Sequence, residues 1–97
     1  MQERSFAIQV IIGIVALGLA VVLNISRIER IIIVLLVAVV LGMEAFNTAI
    51  EIFLDRLAPY PDPDIARVKE VLAASVLIVS VGALAVGFLI FGPAIFR

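Results

Sequence analysis

Three apolar stretches, Phe6 to Ile25, Ile31 to Leu54 and Val71 to Phe91, take up most of the 97 residues, and each is long enough to cross a hydrocarbon core, which needs about 20 residues. Backbone amides inside lipid have to be satisfied within their own segment, so each stretch predicts a helix. The composition agrees: 65% hydrophobic residues and a mean hydropathy of +1.33 lie far above a soluble domain. The expectation is an all-α integral membrane protein, a single membrane domain over residues 1–97 with three transmembrane helices. The first stretch exceeds the roughly 7 to 15 residues of a secretory signal core and is flanked by Glu3-Arg4, so it is read as a permanent span.

The chain has no Cys and no His, which excludes disulfides, thiol nucleophiles, imidazole bases and the usual zinc sites. Any acid, base or metal ligand has to be a carboxylate or an amide. With seven basic and eight acidic residues the net charge is −1, and no basic run points to nucleic acid. Partners are expected inside the membrane and at its face. Arg4, Arg56, Arg67 and Lys69 fall on one side against Arg27, Arg30 and Arg97 on the other, a count that favours a cytoplasmic amino terminus.

The connections differ in kind. Ser26 to Arg30 is a short turn that forces the first two spans to be antiparallel neighbours, with Ser26 and Glu29 spaced as a capping box. Pro59, Pro61 and Pro63 alternate with Tyr60, Asp62 and Asp64 in a stiff extended segment, and Asp62-Pro63 reads as an N-cap followed by the first residue of the third helix. Gly92-Pro93 is expected to loosen or end that helix. Ala38, Gly42, Ala45 and Ala49 form a narrow small-residue stripe on the second helix, and Ala16 with Ala20 and Ala83 with Gly87 repeat the spacing that lets membrane helices approach closely.

More than 100° around the second helix from that stripe lie Glu44, Asn47, Thr48, Glu51 and Asp55, within an arc of roughly 100° at 3.6 residues per turn. Asp55 sits at the end of the span, and Glu44 is about 16 Å deeper along the helix axis. Insertion of a carboxylate at mid-helix costs about 2.5 to 3.5 kcal/mol, and no Lys or Arg lies within any of the three spans. Three compensations are open: protonation, a shared cation of the Mg²⁺ type, or basic groups from the loop side such as Arg56, Arg67 and Lys69. Burying five polar residues is more than three short helices are expected to manage alone, so the chain is expected to associate. No glycine-rich phosphate loop of the Walker or dinucleotide type is present.

The run Glu44-Ala45-Phe46-Asn47-Thr48-Ala49-Ile50-Glu51, followed by Asp55-Arg56 and then by Lys69-Glu70 with Ala73 and Ala74, resembles the prokaryotic diacylglycerol kinase family, which includes undecaprenol kinases. The similarity covers nearly the whole chain. It implies a homotrimer of three-span subunits in the prokaryotic inner membrane, transferring the γ-phosphoryl group of ATP to a hydroxyl of diacylglycerol or undecaprenol at the cytoplasmic face. By the same resemblance Glu44 stands at the position of the general base. Glu51 and Glu3 match Mg²⁺ ligands, Asn47 a polar active-site residue, and Asp55, Lys69 and Glu70 the nucleotide-contacting positions, with Glu70 where an aspartate is usual.

Ala7 and Gln9 depart from the family pattern, where a basic residue and a Glu or His are common. Family members also carry an amphipathic surface helix before the first span, and here the chain begins almost at the span, so part of the nucleotide site is expected to be missing. Phosphoryl transfer is mainly positioning and charge stabilisation. Glu44, deep in the apolar layer, is therefore suited to accept a lipid proton, and Glu51, nearer water, to hold a metal against a nucleotide. Two rival readings stand beside the kinase: a small proton- or cation-coupled transporter using Glu44 and Glu51, and a catalytically inactive truncated member of the family.

Overall fold

The computed structural model describes the backbone of residues 2–96 and the side chains of residues 6–96. Three helices follow one another: α1 over Gln2–Val22, α2 over Arg27–Leu57 and α3 over Pro63–Ile95. Both α1 and α3 pack along α2, and the whole is a rod of 54 × 18 × 18 Å. Helices α2 and α3 are each long and apolar enough to cross a membrane, and the apolar part of α1, Phe6–Val22, is shorter.

The two helix starts follow from local chemistry. Ser26 is the N-cap of α2: its backbone N–H donates to Glu29 Oε1 at 2.8 Å and the Glu29 N–H donates to Ser26 Oγ at 3.1 Å, the reciprocal capping box that the sequence predicts. Asp62 caps α3, its Oδ1 accepting from the N–H groups of Asp64 (2.9 Å) and Ile65 (3.4 Å), with Pro63 in the first turn. The ends differ from expectation. α1 stops at Val22 rather than Ile25, because Leu23 to Ile25 form the connection and Ile25 turns back into the core, where it is 4% exposed. α3 continues through Pro93 to Ile95, and the Phe96 N–H closes it on the Gly92 carbonyl at 3.2 Å.

Across the short connection the Arg30 Nε donates to the Ala20 carbonyl at 2.8 Å, so a side chain from α2 satisfies an orphan carbonyl in the last turn of α1. Ala20, Ile25, Ile33 and Ile90 make a small apolar cluster at this end, with Ala16 packed against it. Further along, Gly13 is buried, and a Cβ placed on it would stand 3.0 Å from Val37 Cγ1 and 3.7 Å from Leu41 Cδ1. The absence of a side chain there is what lets α1 lie close on α2.

The distribution of polarity is the reverse of a soluble protein. Large apolar side chains such as Ile14, Val22, Leu35, Ile78, Phe88 and Leu89 are exposed, whereas Glu44 and Asn47 are buried at 3% and 7%. An apolar surface this extensive is compatible with lipid as the solvent.

Gly13→Leu is expected to push α1 off α2 and to cost about 1–3 kcal/mol, read as a lower midpoint in a denaturing-detergent titration. Gly18→Leu, at a position with nothing within 4 Å, serves as the control and should leave the midpoint nearly unchanged.

Candidate active site

The polar stripe of α2 is graded in exposure along its length. Glu44 and Asn47 are buried, Thr48 and Glu51 are half-buried, and Asp55 is exposed. The sequence leads one to expect that a single chain could not cover such a stripe, but α1 and α3 already take its deep half out of contact with solvent. Thr48 adds nothing to the stripe's outward chemistry, because its hydroxyl donates to the Glu44 backbone carbonyl at 3.0 Å within the helix.

Glu51 is the unfinished member. Its Oε2 is buried and has no hydrogen-bond partner among the described residues. A carboxylate oxygen in that position carries the full cost of its lost hydration unless a proton or a cation meets it. The oxygen-only donor chemistry of the stripe suits Mg²⁺, which is commonly held by one or two protein carboxylates with the remainder of its shell from phosphates and water. Among the described residues no group of three or more acidic side chains gathers into a metal cage. The Glu3 side chain, the second expected ligand, lies outside the described residues.

At the exposed end Lys69, on the first turns of α3, forms an ion pair and hydrogen bond with Asp55 Oδ1, the one ion pair found among the described residues. The fourteen-residue separation in sequence closes because the proline segment returns the chain beside α2. Of the three basic groups expected to meet the stripe, Lys69 does so; Arg56, Arg67 and Glu70 are exposed. The hydrogen bond to Asp55, followed by the charges of Asp55 and Glu51, raises the Lys69 ammonium above its ordinary 10.5 against a smaller opposing effect of desolvation.

Two hollows adjoin the stripe. An apolar groove of about 530 Å³ runs between α1 and α3 over α2, and only Gln9 and Ser80 among its lining residues carry polar side chains. It reaches Leu41, one turn from Glu44. The second hollow, of about 470 Å³, has a mixed lining and lies at the other end of the stripe, between the proline segment and α3, with Asp55, Tyr60, Asp62 and Lys69 among the residues on its wall. The groove and the second hollow escape a reading of sequence, since nothing in the residue pattern marks where helices leave space.

A family model described as prokaryotic diacylglycerol kinase matches residues 1–91 of the chain. No match is found among curated proteins.

The Lys69–Asp55 pair sets a pH signature. A lysine whose folded-state pKa is raised stabilises the fold fully below its unfolded value and ceases to do so as the pH climbs through the raised value. The difference in unfolding midpoint between the wild type and Lys69→Met is therefore expected to be constant from neutrality to about pH 10 and to shrink above 10.5, measured by detergent titration across that range.

Proposed function

The chain belongs to the prokaryotic diacylglycerol kinase family, a family of lipid kinases, and from that premise we propose that it transfers the γ-phosphoryl group of ATP to the hydroxyl of a membrane lipid, diacylglycerol or undecaprenol. The reaction takes place at the cytoplasmic face of the prokaryotic cell membrane, with α1, α2 and α3 as three spans of one membrane domain. The observation that supports it most is the buried Glu51 Oε2, which has no partner among the described residues, on the stripe that holds Glu44 at its apolar end and Asp55 with Lys69 at its wet end.

The roles follow the gradient of exposure. Glu44, sheltered from water, accepts the proton of the lipid hydroxyl as its oxygen bonds to the γ-phosphorus and the bond to the β-phosphate oxygen breaks, releasing ADP. Exclusion of water from Glu44 favours the lipid alcohol over hydrolysis as the acceptor. The apolar groove ending one turn from Glu44 has the lining that an acyl or prenyl chain requires. Glu51, together with Glu3, would hold Mg²⁺, which supplies charge neutralisation at the transferring phosphate. Asn47 orients the reacting groups through its amide, while Asp55, Lys69 and Glu70 contact the nucleotide.

Assembly as a homotrimer has its support on the opposite face of α2. Ala38, Gly42, Ala45 and Ala49 are all exposed in the single chain, and nothing lies within 4 Å of a Cβ built on Gly42. Three copies meeting along this stripe would bring their α2 backbones close together.

Three measurements test the proposal. Membranes containing the protein should phosphorylate a lipid alcohol with radiolabelled ATP and Mg²⁺ when both lipid classes are offered, and Glu51→Gln should abolish the transfer while the oligomer persists. Undiminished turnover in that variant removes the metal assignment. Glu44→Gln should lower kcat by about 10²–10⁴. Gly42→Leu should shift the assembly from trimer to monomer, as read by cross-linking and sedimentation in detergent.

A further inference from the structure

A serine or threonine inside an apolar helix can hide its hydroxyl on the carbonyl one turn back. Thr48 does so on the Glu44 carbonyl and Ser75 on the Val71 carbonyl, both at 3.0 Å. Ser80 does not: its Oγ is buried and has no hydrogen-bond partner among the described residues. A hydroxyl in that state has given up its hydration with nothing in return. Neither the packing nor the proposed chemistry uses it.

Its depth in the molecule gives it a use. Asp55 pairs with Lys69 at one end of α2 and α3, and Ile33 clusters with Ile90 at the other. Glu44 and Ser80 lie equally many residues inward from that ion pair on their two helices, about 16 Å at 1.5 Å per residue, so they stand at one level. On α1, Gln9 reaches the same level, one turn before Gly13, which lies against Val37 and Leu41. Ser80 and Gln9 are also the first residues of α3 and α1 to line the apolar groove, and they carry the polar side chains of its lining. The groove is thus hydrocarbon along its length and offers two hydrogen-bonding groups where it comes level with Glu44.

We propose that Ser80, with Gln9 across the groove, hydrogen-bonds the ester carbonyl of the lipid acceptor and so selects an acylglycerol over a polyprenol. The proposal rests on the lipid-kinase reading of Glu44 and narrows it to one class of acceptor. In a diacylglycerol an ester-bearing carbon is the direct neighbour of the carbon that carries the free hydroxyl. A carbonyl therefore arrives at this polar collar when the hydroxyl meets Glu44 and the acyl chains run down the groove. The Ser80 hydroxyl and the Gln9 amide can both donate to such an oxygen. A polyprenol has an apolar body and a terminal hydroxyl but no second oxygen, and in the same place it would leave the Ser80 hydroxyl unpaired. A site built to hydrogen-bond a polar group rejects an analogue lacking that group far more steeply than an apolar pocket separates two hydrocarbons.

The test compares dioleoylglycerol with its diether, which keeps the hydroxyl and the chains but lacks both carbonyls, and with a polyprenol. In the kinase assay kcat/KM should be roughly ten-fold higher for the ester than for the diether, the effect of one hydrogen bond left unmade. Ser80→Ala should erase that difference by lowering the ester value, with the KM for ATP within two-fold of the wild type. A penalty that depends on the lipid separates a contact to the carbonyl from a general loss of packing. Without turnover, the protein taken from micelles holding equal amounts of ester and diether should retain the ester preferentially, as counted by native mass spectrometry, and Ser80→Ala should retain the two alike. Equal handling of ester and diether by the wild type, faster phosphorylation of the polyprenol, or a Ser80→Ala loss of one size on every lipid overturns the proposal. So does a Ser80→Ala protein that loses its oligomer in sedimentation, since the hydroxyl would then serve a neighbouring copy. Ester-selective retention by a protein that phosphorylates no lipid leaves the collar standing and removes the kinase reading instead.

Discussion

Everything in this structure depends on keeping the polar edge of α2 out of lipid. A carboxylate and an amide at the middle of an apolar helix have to find shelter, and α1 and α3 provide it by packing on either side of α2, leaving Glu44 and Asn47 almost fully covered. The packing is thin: among the described residues the buried apolar set comprises Ala20, Ile25, Ile33, Leu54 and Ile90. In water so small a core would not hold three helices of this length, because large apolar side chains cover the exterior. In lipid the balance changes, since the exterior needs no covering and the helices have to gain only from close approach and from removing the polar stripe from hydrocarbon.

Close approach in turn depends on a few small residues. Gly13 brings α1 against Val37 and Leu41, and Ala16 and Ala20 continue the contact to the cluster around Ile33 and Ile90. The small residues of the α2 stripe face outward. Ala38, Gly42, Ala45 and Ala49 are exposed, so the two sides of α2 differ: the deep half of its polar side is covered within the chain, and its small-residue side is not.

Much of this was readable from the residues, and the parts that were not share a physical reason. Ser26 with Glu29 and Asp62 with Pro63 announce helix starts because capping is a contact among residues three apart, visible in the order of the chain. Helix ends were harder: Leu23 and Ile25 are as apolar as the span before them, and apolarity marks immersion in lipid, not helical hydrogen bonding. The stripe from Glu44 to Asp55 was legible from spacing, but which of its members one chain could bury was not, because burial depends on where α1 and α3 come to rest. Nothing in the order of residues separates Gly13 from Gly18, whereas the 3.0 Å approach to Val37 does. The Arg30 bond to the Ala20 carbonyl joins a side chain to a backbone atom ten residues away, a pairing for which sequence carries no signal. The Glu3 side chain lies outside the described residues, so its part in the site rests on the family resemblance.

The grading of the stripe also bears on how one helix can serve reactants of opposite solubility. A lipid alcohol arrives from the apolar side and a nucleotide from water, and their reacting atoms have to meet in a region that neither bulk phase fills. Along α2 the exposure rises from Glu44 through Glu51 to Asp55, over about 16 Å of helix. At one end the apolar groove stops a turn short of Glu44; at the other the second hollow opens at Asp55 and Lys69. Glu51 stands between them, with one oxygen buried and without a partner among the described residues. On the proposed metal role, a carboxylate placed deeper would be cut off from phosphates that carry their own hydration; placed at the level of Asp55, it would be screened by water and by Lys69. The half-buried position is where a cation shared with a phosphate gains most from the low dielectric and still has a path to the aqueous side.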